Sequence, residues 1–159
     1  MRRYLTLMLA LALELPALPV RAERLYTALT AAALAETSAL VVDIHRPAEW
    51  VPTGVLPNAL LMAFTDADSF AEALRPHLAP GQPVMLICRT GNRTAQATAL
   101  LTPRMDVPVI DVRGGMVRLI SEGHRPAAPR AAQGCTICRI ERQLRGAPRL
   151  RGGAARPLW

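Results

Sequence analysis

Cysteine and histidine are scarce in this chain, which has three of each among 159 residues. His45, His77 and His124 are scattered along the sequence rather than clustered. A zinc site built on Cys135 and Cys138 would need a second pair of ligands at suitable spacing, and the chain lacks one. The sequence therefore argues against a metal centre.

The N-terminus lacks an apolar run long enough for a membrane span, which needs about 20 predominantly apolar residues. The run Leu5–Leu13 is followed by Glu14 and two prolines. Two arginines precede the run, and small residues ending at Ala22 follow it, as in a secretory signal. We expect a signal peptide over residues 1–22 and a periplasmic or secreted protein, with an uncleaved anchor as the alternative.

Lysine is absent, and the 19 arginines are unevenly spread. Residues 1–22 carry net charge +2, residues 23–124 carry eight Arg against ten Asp and Glu, and residues 125–159 carry eight Arg against one Glu. A slightly acidic central region gives no support to nucleic-acid binding. The arginine-rich end suits at most a weak contact with an anionic membrane surface.

Apolar runs of strand length alternate with helical patterns, which predicts an α/β fold with a parallel sheet covered on both faces. A loop is expected around Pro52 and Gly54, and Asp68 is expected to cap the second helix. The predicted strands are Ala39–Ile44, Val84–Cys88 and Val107–Val112, and the predicted helices are Leu29–Glu36, Ser69–Leu78, Arg93–Leu101 and Met116–Glu122.

Beyond Pro126 the sequence is rich in Arg, Gly, Pro and Ala, a composition with little apolar surface to bury. We therefore expect a domain over residues 23–128 and a flexible tail over residues 129–159. Cys135 and Cys138 lie in this tail as a CxxC motif. In an oxidising compartment they would close a local disulfide. A redox pair that acts together with Cys88 is the alternative.

The segment after the second predicted strand has the features of an anion site. Cys88 ends the strand, and a glycine-containing loop leads into a helix, so backbone N–H groups and the positive helix end face the thiol. Two arginines add positive charge and favour a thiolate. A buried structural cysteine is the alternative. The candidate site comprises Cys88, Arg89, Thr90, Gly91, Asn92, Arg93 and Thr94.

Four stretches in register resemble the rhodanese family and together cover about Leu25 to Pro126. The segment from Cys88 to Arg93 resembles the family's active-site loop. The other three are Val42-Asp43-Ile44 with Pro47, Glu49 and Trp50; Thr53 to Ala59; and Val112 with Gly114, Gly115 and Gly123. The resemblance implies a three-layer rhodanese-like fold with a central parallel sheet.

Three residues depart from the family pattern. His45 stands where Arg is common, Asn58 where Gly is usual, and Leu119 where Trp is common. Glu49 would then lack its usual arginine partner unless Arg46 supplies the charge. All three changes are expected to lie in the scaffold.

The resemblance implies a sulfurtransferase that carries sulfane sulfur as a Cys88 persulfide from a small anionic donor, such as thiosulfate, to a thiol or cyanide. Loop amides would cradle the persulfide, Arg89 and Arg93 would bind the donor, and neither a metal nor an organic cofactor is required. A binding or redox-partner module without independent turnover is the alternative. A phosphatase or arsenate reductase fits less well, because such loops place five residues between Cys and Arg and this loop has four. The oligomeric state is left open.

Overall fold

A parallel five-stranded sheet forms the centre of the computed structural model, which describes residues 24–138. All strand pairs are parallel, and the order is β1-β5-β4-β2-β3. The α/β fold expected from the sequence is confirmed. The strands are β1 Arg24–Thr27, β2 Leu40–Asp43, β3 Leu60–Leu61, β4 Val84–Ile87 and β5 Val109–Val112. The helices are α1 Ala31–Glu36, α2 Pro47–Thr53, α3 Ala67–Leu74, α4 Asn92–Leu101 and α5 Gly115–Ser121.

Helices cover both faces of the sheet, because alternate residues of each buried strand point to opposite sides. The first core cluster packs α1, α2 and α5 on one face and includes Trp50 and Ile87. The second core cluster packs α3 and α4 on the other face and includes Phe70 and Leu86. The central strand β4 is buried along its whole length, as its continuous apolar run predicts.

The structure contains three elements that the sequence did not predict, namely β1, β3 and α2. The strand β1 carries mixed polar and apolar residues at the sheet edge, and β3 has only two residues, so neither gives a long apolar run. The region around Pro52 was expected to be a loop, but Pro52 lies inside α2. Pro47 is at the start of this helix, where its missing N–H costs nothing.

The expected cap of α3 is wrong by two residues. Asp66 is the N-cap, and its Oδ1 accepts the backbone N–H of Ser69 at 2.9 Å. Asp68 lies inside the helix and pairs with Arg104. The helix ends at Leu74 rather than Leu78, because a short 3-10 turn containing Pro76 follows it.

The expected flexible tail is wrong for residues 129–138, which pack on the domain. Val55 and Ala127 exchange two backbone hydrogen bonds of 2.9 Å each. Gln133 is buried, and its Nε2 donates to the carbonyl oxygens of Leu56, Pro57 and Ala59 at 3.0–3.2 Å. Cys135 is fully buried in the first core cluster. The Gln133 amide and the small Cys135 side chain therefore hold a segment whose composition alone predicted a flexible tail.

The expected signal peptide and the end of the expected tail, residues 139–159, lie outside the described residues. Among the helices of residues 24–138, none has the length and apolar character needed to cross a membrane.

Candidate active site at the carboxyl edge of the sheet

Cys88 follows the last residue of β4 and lies at the carboxyl edge of the sheet, where α/β proteins place their ligands. The chain then turns through Arg89 and Thr90, both exposed, and enters α4 at Asn92. Gly91 is the residue before the helix and has φ +90°, a left-handed conformation that glycine adopts without a steric cost. The sequence-predicted site residues are therefore brought together in one short loop and the first helical turn.

The Cys88 side chain is fully buried, and its sulfur faces the loop and the first turn of α4. The Gly91 N–H donates to Cys88 Sγ at 3.2 Å, and Thr94 Oγ1 lies 3.8 Å from the same sulfur. Thr94 in turn donates to the Gly91 carbonyl at 2.8 Å, which ties the helix start to the loop. An N–H directed at sulfur stabilises negative charge there, so this geometry suits a thiolate or a persulfide anion.

The helix α5 follows the neighbouring strand β5, and its first turn supports the loop that contains Cys88. Met116 N–H donates to the Cys88 carbonyl, and Val117 N–H to the Arg89 carbonyl, both at 2.9 Å. This contact requires Gly115, because a Cβ there would lie 2.1 Å from the Cys88 carbonyl oxygen. Gly115, which the sequence singled out through the family resemblance, therefore allows α5 to support the cysteine closely.

Glu49 of α2 holds the Arg93 guanidinium by two hydrogen bonds, of 2.7 and 2.9 Å. Arg93 is therefore the partner that the sequence left in doubt, while Arg46 contributes only its backbone N–H, at 2.9 Å from Glu49 Oε2. The bonds from Arg93 lower the pKa of Glu49 below its ordinary value, against an opposing effect of burial. The two residues are 44 positions apart, and no local sequence signal pairs them.

The sequence predicted that Arg89 and Arg93 both bind a donor, but the two side chains differ in how accessible they are to one. Arg89 is exposed beside Cys88, whereas two nitrogens of Arg93 are already bound to a carboxylate. The ion pair fixes the first turn of α4, and the Glu49 carboxylate balances the charge of Arg93. Arg89 is the more accessible cation for an anionic molecule.

The three residues that depart from the rhodanese pattern are all part of the scaffold. His45 is fully buried, and its Nδ1 lies 2.5 Å from Asp43 Oδ1, which also accepts the His45 backbone N–H at 2.9 Å. Asn58 donates to the Leu34 carbonyl at 2.8 Å. Leu119 is fully buried in the first core cluster. The buried Asp43–His45 pair was missed in the sequence, where Asp43 reads only as the end of an apolar run.

Cys135 and Cys138 form a disulfide with a Cα–Cα distance of 5.4 Å. Cys135 belongs to the first core cluster, whereas Cys88 belongs to the second, on the opposite face of the sheet. The described arrangement therefore does not bring the pair to the Cys88 sulfur.

Comparison with known proteins identifies one family model and three similar proteins. The family model for the rhodanese-like domain matches residues 27–122. A sulfurtransferase of Allochromatium vinosum is 31% identical over 97 residues, which cover 60% of this chain and 86% of that protein. Among solved structures, a rhodanese-related protein from Thermoplasma volcanium has 28% identity and a TM-score of 0.47, covering 63% of this chain and 96% of that one. A rhodanese-like domain protein from Staphylococcus aureus has 23% identity and a TM-score of 0.49, covering 65% and 97%.

Proposed function

Because this chain belongs to the rhodanese-like domain family, we propose that it is a sulfurtransferase in which the Cys88 sulfur carries sulfane sulfur as a persulfide. The observation that carries the proposal is the Gly91 N–H directed at Cys88 Sγ from a loop between a strand end and a helix start. The sulfurtransferase of Allochromatium vinosum supports the same reaction class.

The proposed reaction has two displacements. The Cys88 thiolate attacks the outer sulfur of thiosulfate, the sulfur–sulfur bond of the donor breaks, and sulfite leaves with the bonding electron pair. The outer sulfur of the resulting persulfide is then attacked by cyanide or a thiol, and Cys88 leaves as the thiolate. The loop N–H groups stabilise the sulfur anion before and after each transfer.

The positive charges have separate roles in this proposal. Arg89, exposed next to Cys88, contacts the sulfonate oxygens of the donor. Arg93 is held by Glu49 and keeps the first turn of α4 in place, so that Gly91 and Thr94 stay near the sulfur. The proposed partners are thus a small anionic sulfur donor and a thiol acceptor.

The test is to incubate the purified full chain with thiosulfate and cyanide and measure thiocyanate, with mass spectrometry of the protein after thiosulfate alone. We expect thiocyanate production and the mass of one added sulfur atom on Cys88. Cys88→Ser should abolish both, because serine is nearly isosteric but lacks the polarisable nucleophile.

A matched control is the double variant Cys135→Ser with Cys138→Ser, which should keep its activity because the pair lies on the other face of the sheet. Hydrolysis of an aryl phosphate in place of sulfur transfer would instead identify a phosphatase. A folded protein without either activity would identify a binding or redox-partner module.

A further inference from the structure

The Cys135–Cys138 disulfide has no role in the proposed sulfur transfer, yet it has a defined place in the fold. It closes a single turn at the end of the segment that packs on the first core cluster. Residues just before it are firmly held: Gln133 bonds three carbonyl oxygens, and Gly134 lies so close to Leu61 that a Cβ would be 2.5 Å from the Leu61 carbonyl oxygen. The turn that bears the disulfide is therefore anchored on its N-terminal side, independently of the sulfur–sulfur bond.

The two cysteines of the pair differ in burial. Cys135 is fully buried among apolar side chains, whereas Cys138 is only partly buried against the same cluster. The backbone N–H of Cys138 points at Cys135 Sγ at 3.2 Å. Exchange requires direct approach of a thiolate to one sulfur, and its rate depends on how well the other sulfur accepts negative charge. Cys138, the less buried cysteine, is thus the expected point of attack by a thiolate. Cys135 is then the leaving group, and its sulfur already accepts the Cys138 N–H.

We propose that Cys135 and Cys138 form a thiol–disulfide exchange site, separate from the Cys88 site, which an external dithiol reduces by attacking the sulfur of Cys138. Because the first cysteine of this CxxC pair is buried and the second is only partly buried, an external thiolate is expected to attack the second. The proposal does not depend on the sulfurtransferase activity, because Cys88 lies on the opposite face of the sheet.

The exchange proceeds in two balanced steps. A thiolate of the dithiol bonds to Cys138 Sγ, the Cys135–Cys138 bond breaks, and its electron pair goes to Cys135 Sγ, which takes up a proton. The second thiol of the reductant then attacks the reductant's other sulfur atom, which is bonded to Cys138 in the mixed disulfide. Cys138 leaves as a thiolate and is protonated. The chain gains two electrons and two protons, and the dithiol becomes a disulfide.

The reduced pair is compatible with the folded domain. A protonated Cys135 behaves as a small apolar side chain and can stay in the core cluster. The sulfur atoms must separate from bonding to van der Waals distance, and Cys138, the less buried of the two, is the one expected to move. Because Gln133 remains bound to the loop before β3 and Gly134 remains against Leu61 of β3, reduction opens the turn from Cys135 to Cys138 without releasing the segment.

The experiment uses the full chain carrying Cys88→Ser, so that the pair supplies the only sulfur atoms able to exchange. The folded protein is treated with dithiothreitol at pH 8; samples are quenched with acid, freed of dithiothreitol, labelled with a maleimide in guanidinium and analysed by mass spectrometry. We expect both cysteines to be labelled, at a rate that sucrose does not slow. Sucrose stabilises the folded state and would slow a reaction that requires unfolding. Reduction only in guanidinium, or a rate suppressed by sucrose, would show a purely structural disulfide and overturn the proposal.

The point of attack is tested with glutathione, a monothiol that leaves its mixed disulfide on the attacked sulfur. We expect the adduct on Cys138 of the native pair, located by fragment mass spectrometry. In the two matched variants, Cys88→Ser/Cys135→Ser and Cys88→Ser/Cys138→Ser, glutathione disulfide should modify Cys138 at least about tenfold faster than Cys135. An adduct on Cys135, or equal rates in the two variants, would contradict the assignment.

Discussion

At the scale of single residues, the environment of Cys88 is made mainly by backbone groups. Its sulfur receives the Gly91 N–H, and its carbonyl receives the Met116 N–H. Backbone donors are fixed by the strand and the two helices, so they are in place before any substrate binds. Side chains act one step further away, since Glu49 holds Arg93 and Arg93 holds the start of α4.

Replacing Gly115 by alanine should disrupt this environment. The new Cβ would lie 2.1 Å from the Cys88 carbonyl oxygen and 2.8 Å from that of Arg89, at a φ of +55°. We expect Gly115→Ala to lower the free energy of unfolding by more than about 3 kcal/mol and to reduce sulfur transfer strongly. Gly81→Ala is the control, because Gly81 also has positive φ but no atom within 4 Å of a Cβ, so it should cost only about 1 kcal/mol. Equal costs in denaturant melts would contradict the steric explanation.

The ion pair between Glu49 and Arg93 should make stability depend on pH. Because the pKa of Glu49 is lowered in the folded chain, the pair stabilises it fully above the ordinary value of 4.5, and this contribution is lost as the pH falls through the lowered value. Glu49→Gln should cost about 1 kcal/mol at pH 7, since both side chains are partly exposed, and progressively less as the pH falls through the lowered pKa of Glu49. Thermal melts from pH 3 to 7 measure this. Glu72→Gln, at an exposed position of α3, is the control and should change the melting temperature at pH 7 only slightly.

At the scale of secondary-structure elements, two segments determine how the site is held. The helix α2 carries Glu49 toward the loop, and the segment over residues 126–138 fixes the chain between α2 and β3 through Val55, Gln133 and Cys135. Both were misread as loop or tail, because short elements rich in Pro and Gly lack hydrophobic periodicity. Long-range contacts make them ordered.

Truncation after residue 129 should therefore destabilise the domain. It removes the three hydrogen bonds of Gln133 and the buried Cys135, a loss of about 3 kcal/mol. For a domain of this size the melting temperature should fall by roughly 15 °C. Truncation after Cys138 is the control and should leave it nearly unchanged. Equal melting temperatures for both truncated chains and the full chain would show that the segment contributes little.

At the scale of the whole molecule, charge is separated between the ends and the domain. Residues 23–124 carry net charge −2, and residues 125–159 carry net +7. A slightly acidic domain does not by itself attract an anionic donor, so any attraction comes from local charges such as Arg89. The disulfide between Cys135 and Cys138 is a bond that persists in oxidising compartments, in keeping with the proposed export of the chain.

We predict that the chain is exported and that residues 1–22 are removed, because the first 22 residues have the charged, apolar and small-residue regions of a signal. Intact-mass measurement of the protein from periplasmic and cytoplasmic fractions tests this. The periplasmic form should begin at Glu23 and contain the disulfide. Recovery of only the form that begins at Met1, from the cytoplasm alone, would contradict the prediction.

The sequence by itself determined the parallel α/β sheet, the position of Cys88 at a strand end and the glycine-containing loop that follows it. Continuous apolar runs and glycine spacing are local signals, so they can be read without a structure. Only the tertiary structure decided that Arg93 binds Glu49, that Asp43 binds His45, and that the segment over residues 126–138 packs through Gln133 and Cys135. The Arg93, Gln133 and Cys135 contacts join residues far apart in the chain, and all these side chains gain their partners from burial and chain topology rather than from local patterns.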